Sequence, residues 1–167
     1  MAGTGKPILV GSIIYLENKN PHSGYLDARG RVIDKPEFWN VAGTERSFVL
    51  THGTPNRDQG SGSWKIISAE GKADGTPLKI GDTIHLLNMY PNVGYLDCCG
   101  WIEHLAPFHD YQTEVRCGVF TAVIPDRDNG TGKWTITSAE KLENDELLEG
   151  DVIYLDNGYP NTGSLVA

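Results

Sequence analysis

This 167-residue chain lacks any run of the roughly 18 apolar residues that a membrane-spanning helix needs, so no membrane span is expected. Its first residues, MAGTGKPILVGSIIYLENK, form a broken apolar stretch without the core or cleavage site of a secretory signal. Basic residues are outnumbered, 14 Lys and Arg against 22 Asp and Glu, for a formal charge of −8. With no basic cluster against that balance, phosphate backbones are repelled and nucleic acid is excluded as the expected partner. Cysteine is sparse and odd in number: Cys98, Cys99 and Cys117. That rules out a disulfide scaffold. The two segments flank one excursion and allow a single bridge, Cys117 to Cys98 or Cys99; Cys99–Cys117 is the pair carried forward. His104 and His109 share that excursion, but there is no Cys-x-x-Cys and no ligand-like His spacing, so no metal or cofactor is expected. The Gly-x-Ser-x-Gly elbow, the P-loop and the dinucleotide fingerprint are all missing. Helical periodicity is confined to 140–148.

What the chain has is repetition. GSIIYLENKNPHSGYLDARG at 11–30 returns as GDTIHLLNMYPNVGYLDCCG at 81–100 and begins again as GDVIYLDNGYPNTGSLVA at 150. PNRDQGSGSWKIISAE at 55–70 returns as PDRDNGTGKWTITSAE at 125–140. The period is 70 residues, and it defines units 11–80, 81–149 and a partial 150–167 within one domain, 1–167.

Each unit opens with a period-two strand, Ile14 and Leu16 matching Ile84 and Leu86. Asn-x-x-Pro and Gly24 or Gly94 mark a turn. Gly-Tyr-Leu-Asp then forms a second strand, expected to stop at Gly30 or Gly100. An irregular excursion follows, then a third strand at 47–51 or 117–121. A Gly-rich loop leads to a fourth strand at 64–68 or 134–138, where Trp64 and Ile66, or Trp134 and Ile136, share a core-facing side. Four such strands match one leaf of a β-trefoil. The expected fold is all-β, of β-trefoil-like units, two full and one partial. The alternative is a pseudo-two-fold β-barrel or sandwich. The third unit shows its first hairpin without Trp-x-Ile. Its strand edges call for cover, from a longer chain, from the first hairpin or from a homo-oligomer.

The unit resembles the tandem modules of secreted cyanobacterial water-stress proteins. The resemblance rests on Gly24-Tyr25-Leu26-Asp27, Asn56-Arg57-Asp58, Gly60-Ser61-Gly62 and Trp64-Lys65-Ile66, with their counterparts 70 residues on. It implies an extracellular protein of a stress-induced polysaccharide matrix that associates with glycans; polysaccharide degradation has also been suggested for such proteins. Paired cysteines of that family's excursion survive here only in the second unit. A cytoplasmic location is the alternative.

Non-catalytic, lectin-like carbohydrate binding is therefore the expected function. In that reading Asp27 and Asp97 accept bonds from sugar hydroxyls. Asn18, Asn88 and Asn157 stand beside them, with Tyr25, Tyr95, Tyr90 and Tyr159 stacking on rings. Arg57 and Arg127 would meet an acidic sugar. Trp39 and Trp101, in the variable excursions, are the candidate stacking platforms. The structural counter-reading has each Asp capping a turn and each Arg-Asp step rigidifying its loop. Two other functions compete. A glycoside hydrolase would draw an acid and a base from Glu103, Glu114, Asp97 and Asp110, which no motif selects. A protein-binding or inhibitory trefoil would use the long excursions.

Overall fold

A computed structural model describes residues 5–101, 117–140, 142 and 145–166. Among the described residues nine strands form one curled antiparallel sheet. They are β1 (Ile13–Ile14), β2 (Tyr25–Arg31), β3 (Ser47–His52), β4 (Trp64–Ser68), β5 (Thr83–Asn88), β6 (Tyr95–Trp101), β7 (Cys117–Ala122), β8 (Trp134–Thr137) and β9 (Tyr154–Asn157). Among the described residues helical structure comprises two 3-10 turns and one α-turn, Trp39–Ala42, in the first excursion. Among the described residues no helix is long and apolar enough to cross a membrane. The all-β expectation holds, and the period-two strands lie where the repeat places them.

One correction concerns the second strand. It does not stop at Gly30 or Gly100. Both glycines sit in a bulge where the register shifts, and the strand runs on to Arg31, which pairs with Ser47, or Trp101, which pairs with Cys117. Their φ values of 72° and 67° are open to glycine at little cost. A second correction concerns 140–148. The described end of that run is extended: Glu146 pairs with Lys79 and Leu148 with Pro7.

That pairing belongs to a closed ring. Leu9 pairs with Pro77, Lys79 with Glu146, and Leu148 with Pro7. Each of these three short segments precedes one unit, and each donates a backbone bond to the one before it around the ring: Leu78 N to Ile8 O, Leu147 N to Leu78 O, Ile8 N to Leu147 O. The segment before the third unit thus closes the ring, and β9 joins the sheet beside β8. The third unit is not docked on the first unit through β1, since β9 pairs with β8.

The fourth strand of each full unit ties two first strands together. β4 pairs with β1 of its own unit and β5 of the next. β8 pairs with β5 and β9 in the same way. Inside lie Trp64, Ile66, Leu78, Leu86, Ile136 and Leu155, all buried. The two tryptophans donate their indole N–H to Leu26 O and Leu96 O, both at 3.0 Å. This satisfies the polar handle that a buried indole carries. A smaller core of Val32, Ala42, Cys99 and Phe120 lies under the first excursion.

Candidate functional site

The Arg-Asp loops fold back onto the second strands. Gly62 and Gly132 make that approach possible: a Cβ on either would lie 2.0 or 1.8 Å from the oxygen of Pro55 or Pro125. At the loop entrance Asn56 Oδ1 accepts the Gly60 amide at 2.6 Å, and Asp126 Oδ1 accepts that of Gly130 at 2.6 Å. Arg57 and Arg127 are thereby aimed at the carboxylates of Asp27 and Asp97.

Asp27 and Asp97 are only 1% and 0% exposed. Neither is placed to touch a sugar, which corrects the expectation that they accept its hydroxyls. Arg57 reaches Asp27 Oδ1 through Nη2 at 2.7 Å and Nε at 3.2 Å, and Ser61 Oγ donates to Oδ2 at 2.8 Å. In the second unit Arg127 Nε and Arg46 Nη1 share Asp97 Oδ1 at 3.3 and 2.9 Å. Asp97 Oδ2 is buried without a partner among the described residues. The cause is one substitution: Thr131 stands where the first unit has Ser61, and its Oγ1 accepts from Asp128 N at 3.3 Å instead. Each arginine also donates to a strand carbonyl, Ala28 O or Cys98 O, at 3.2 Å. The hydrogen bond to Asp27 raises the pKa of Arg57 against a smaller lowering by burial. For Arg127 burial lowers it, and Asp97, Cys99 and Asp128 together more than restore it. Arg57 and Arg127 thus serve the frame by holding their loops against the second strands.

Asn88 and Asn157 are frame as well. Their Nδ2 atoms donate to Ser61 O and Thr131 O of the preceding unit, at 2.8 and 2.9 Å, and their Oδ1 atoms cap Tyr90 N and Tyr159 N. Asn18 caps Asn20 N in the same manner. Tyr25 and Tyr95 are half-buried, with Tyr95 edge-on to His85. Trp39 is exposed, and its indole donates to Val32 O at 3.0 Å.

A cavity of about 240 Å³ opens beside the second Arg-Asp loop. Its wall brings together three segments distant in sequence: Cys98 to Trp101 and Cys117 from the second hairpin, Arg127, Asp128 and Thr131 from the loop, and Tyr159 and Thr162 from the third unit. Trp101, Arg127 and Tyr159 are thus gathered at one place. Thr131, Thr162 and Asp128 were missed by sequence reasoning. The exact repeat pairs Asp128 with Asp58, but nothing in the sequence places Thr162 beside it.

The three cysteines form no disulfide with one another. The Cys99–Cys117 bridge is not present; Cys98, on the neighbouring strand position, is the thiol in contact with Cys117. Burial, and then Cys117, pushes the Cys98 thiol far above its ordinary range, and burial raises Cys99. They are protonated at neutral pH and are poor nucleophiles. Among the described residues no group of three metal-ligating side chains occurs. His104, His109, Glu103, Asp110 and Glu114 lie outside the described residues.

No protein-family model matches the chain, and no curated protein sequence matches it significantly. Solved structures do. The SDF2-like protein from Arabidopsis thaliana aligns with a TM-score of 0.65 at 16% identity, over 96% of this chain and 77% of that one. A Caenorhabditis elegans protein of unknown function aligns at 0.63 and 18%, over 96% and 79%. The Saccharomyces cerevisiae protein O-mannosyltransferase Pmt1-Pmt2 complex bound to the sugar donor aligns at 0.57 and 13%, over 98% of this chain and 21% of that one. At these identities the likeness is one of β-rich fold. No cyanobacterial water-stress protein is among these neighbours.

Proposed function

We propose that the chain is a non-catalytic glycan-binding module of β-trefoil-like units, and that sugar occupies the cavity of the second unit. The observation that carries this reading is the cavity's lining. Two aromatic rings, Trp101 and the 40% exposed Tyr159, stand with a guanidinium, a carboxylate and two threonine hydroxyls. Stacking surface combined with a few fixed donors and acceptors is what a sugar ring requires. At about 240 Å³ the cavity is smaller than the roughly 300–1,000 Å³ of drug-sized sites. It suits one ring, such as a polysaccharide end or branch. The ring of three equivalent segments supports the trefoil-like description. The fold likeness to a complex that holds a sugar donor accords with a sugar-related role.

Hydrolysis is carried less far by the geometry. Asp128 is the one carboxylate lining the cavity among the described residues, whereas a glycosidase needs two flanking the bond. An extracellular polysaccharide matrix is the setting we propose for the ligand. Titration calorimetry against a panel of neutral and acidic oligosaccharides tests the reading. Binding is expected to weaken at least tenfold in Tyr159→Ala and Trp101→Ala and to persist in Trp39→Ala. Equal affinity in all three variants would overturn it.

A further inference from the structure

The two fourth strands set a rule that the third unit does not complete. Trp64 of β4 lies between Ile14 and Asn88, and Trp134 of β8 lies between Ile84 and Asn157. The matching third position lies between Ile153 and Asn18. Among the described residues, no strand fills it: β1 and β9 end the sheet on either side.

The neighbouring groups carry the mark of a missing partner. At the flanked position of the second unit, His85 is 9% exposed; its counterparts Tyr15 and Tyr154 are 52% and 49% exposed. Ile13 and Val152 are likewise exposed. The Asn88 and Asn157 amides each donate to the loop before a fourth strand, and the Asn18 amide has no such acceptor among the described residues. Met89 N donates to Ser63 O, and Gly158 N to Lys133 O; the equivalent Lys19 N has no acceptor there. Gly11 N and Gly81 N donate to Ile66 O and Ile136 O, while Gly150 N has no such acceptor among the described residues. Donors, acceptor edge and apolar floor are all present at the spacing of a strand that two internal copies already show.

We infer that the gap between β1 and residues 152–153 is a docking groove for an extended partner segment of the same Trp-x-Ile-x-Ser class. It runs antiparallel to both neighbours. Its Trp faces Asn18 on one side and Ile153 on the other, its Ile faces Leu16, and its Ser faces Ile14. The loop before it supplies the carbonyl that the Asn18 amide lacks. Existing strands of a second copy cannot serve, because Trp64 and Trp134 are committed to their own core. The recognition is β-strand addition, with backbone bonds giving affinity and the Trp pocket giving selectivity.

The test is a synthetic peptide, SGSWKIISAE, the sequence of residues 61–70, added to the whole protein. Expected is saturable one-to-one binding, with amide exchange slowed at Lys19 and Gly150. Binding should be lost with SGSAKIISAE and weakened about tenfold in Asn18→Ala, the loss of one buried hydrogen bond. Three results would overturn the inference. They are no binding, binding that ignores the Trp, or sedimentation showing that peptide-free protein already self-associates through this edge. None of these outcomes depends on whether the second-unit cavity binds sugar.

Discussion

Removing Arg57 should cost this protein more than removing Arg127, although the two arginines occupy the same place in the repeat. Asp27 is closed from solvent and is held by Arg57 and one serine hydroxyl. Arg57→Ala leaves a buried carboxylate with that hydroxyl alone. Breaking a buried ion pair from one side costs about 3–5 kcal/mol. Arg57 is itself partly solvated, with 22% of its side chain exposed, so the lower end, about 3 kcal/mol, applies. Asp97 has a second arginine. Arg46, with 11% of its side chain exposed, keeps a 2.9 Å bond to the same oxygen when Arg127 is gone. Arg127→Ala then leaves Asp97 paired and removes one of the two charged hydrogen bonds to it, about 1.5 kcal/mol, while the bond to Cys98 O has its equivalent in the Arg57 bond to Ala28 O and cancels in the comparison. Urea unfolding at pH 7 reads both directly as a lowered midpoint with an unchanged slope. In a thermal scan the expected falls are roughly 6–12 °C and 3–6 °C, at 2–4 °C per kcal/mol for a chain of this size. The double variant Arg46→Ala, Arg127→Ala should lose more than the two single losses added, because the first deletion alone leaves a partner in place. Arg127→Ala proving as costly as Arg57→Ala, or Arg57→Ala costing under about 1 kcal/mol, would refute the reasoning.

Other consequences follow from the same loops. Gly62→Ala and Gly132→Ala each push a Cβ to within about 2 Å of a proline carbonyl and should lower the unfolding free energy by several kcal/mol, on the order of the larger single-site losses, or prevent folding, as urea unfolding would read. Burial tends to raise the Asp126 pKa, but the Gly130 amide and Lys133 outweigh it, and the net value falls below the ordinary 3.8. A lowered carboxyl pKa stabilises the fold above its unfolded value, and that contribution disappears as the pH drops below 3.8. The first unit has the neutral Asn56 at this position, so Asp126→Asn should keep the cap and flatten the acid limb of the stability curve below pH 3.8. An unchanged acid limb would count against this assignment.

Much of this was legible in the sequence because the repeat isolates what the fold requires. Period-two alternation found the strands, and the Trp-x-Ile pairs marked the core. The Arg-Asp steps stood out because both occur at identical loop positions, but repetition fits a brace and a binding pair equally, and only the bonds to Asp27 and Asp97 separate the two. Asp27 and Asp97 were harder. Leu26, Asp27 and Ala28 are all buried, so the strand is covered on both sides and alternation carries no information about which side faces water. The bulge at Gly30 and Gly100 looks like a stop signal because glycine serves both purposes. The ring segments 7–9, 77–79 and 146–148 are too short to show any period. The cavity was illegible for a different reason. Its wall comes from three separated segments, and Thr162 joins Arg127 only after β9 has paired with β8.

The central claim is that sugar binds where the second Arg-Asp loop meets the third unit. Residue-resolved amide shifts on titration with a bound oligosaccharide test it most directly. The account predicts shifts concentrated at Trp101, Asp128, Thr131, Tyr159 and Thr162, with the equivalent first-unit loop at 57–61 unmoved. Shifts centred on the first unit, or spread over the surface without a focus at these residues, would contradict it.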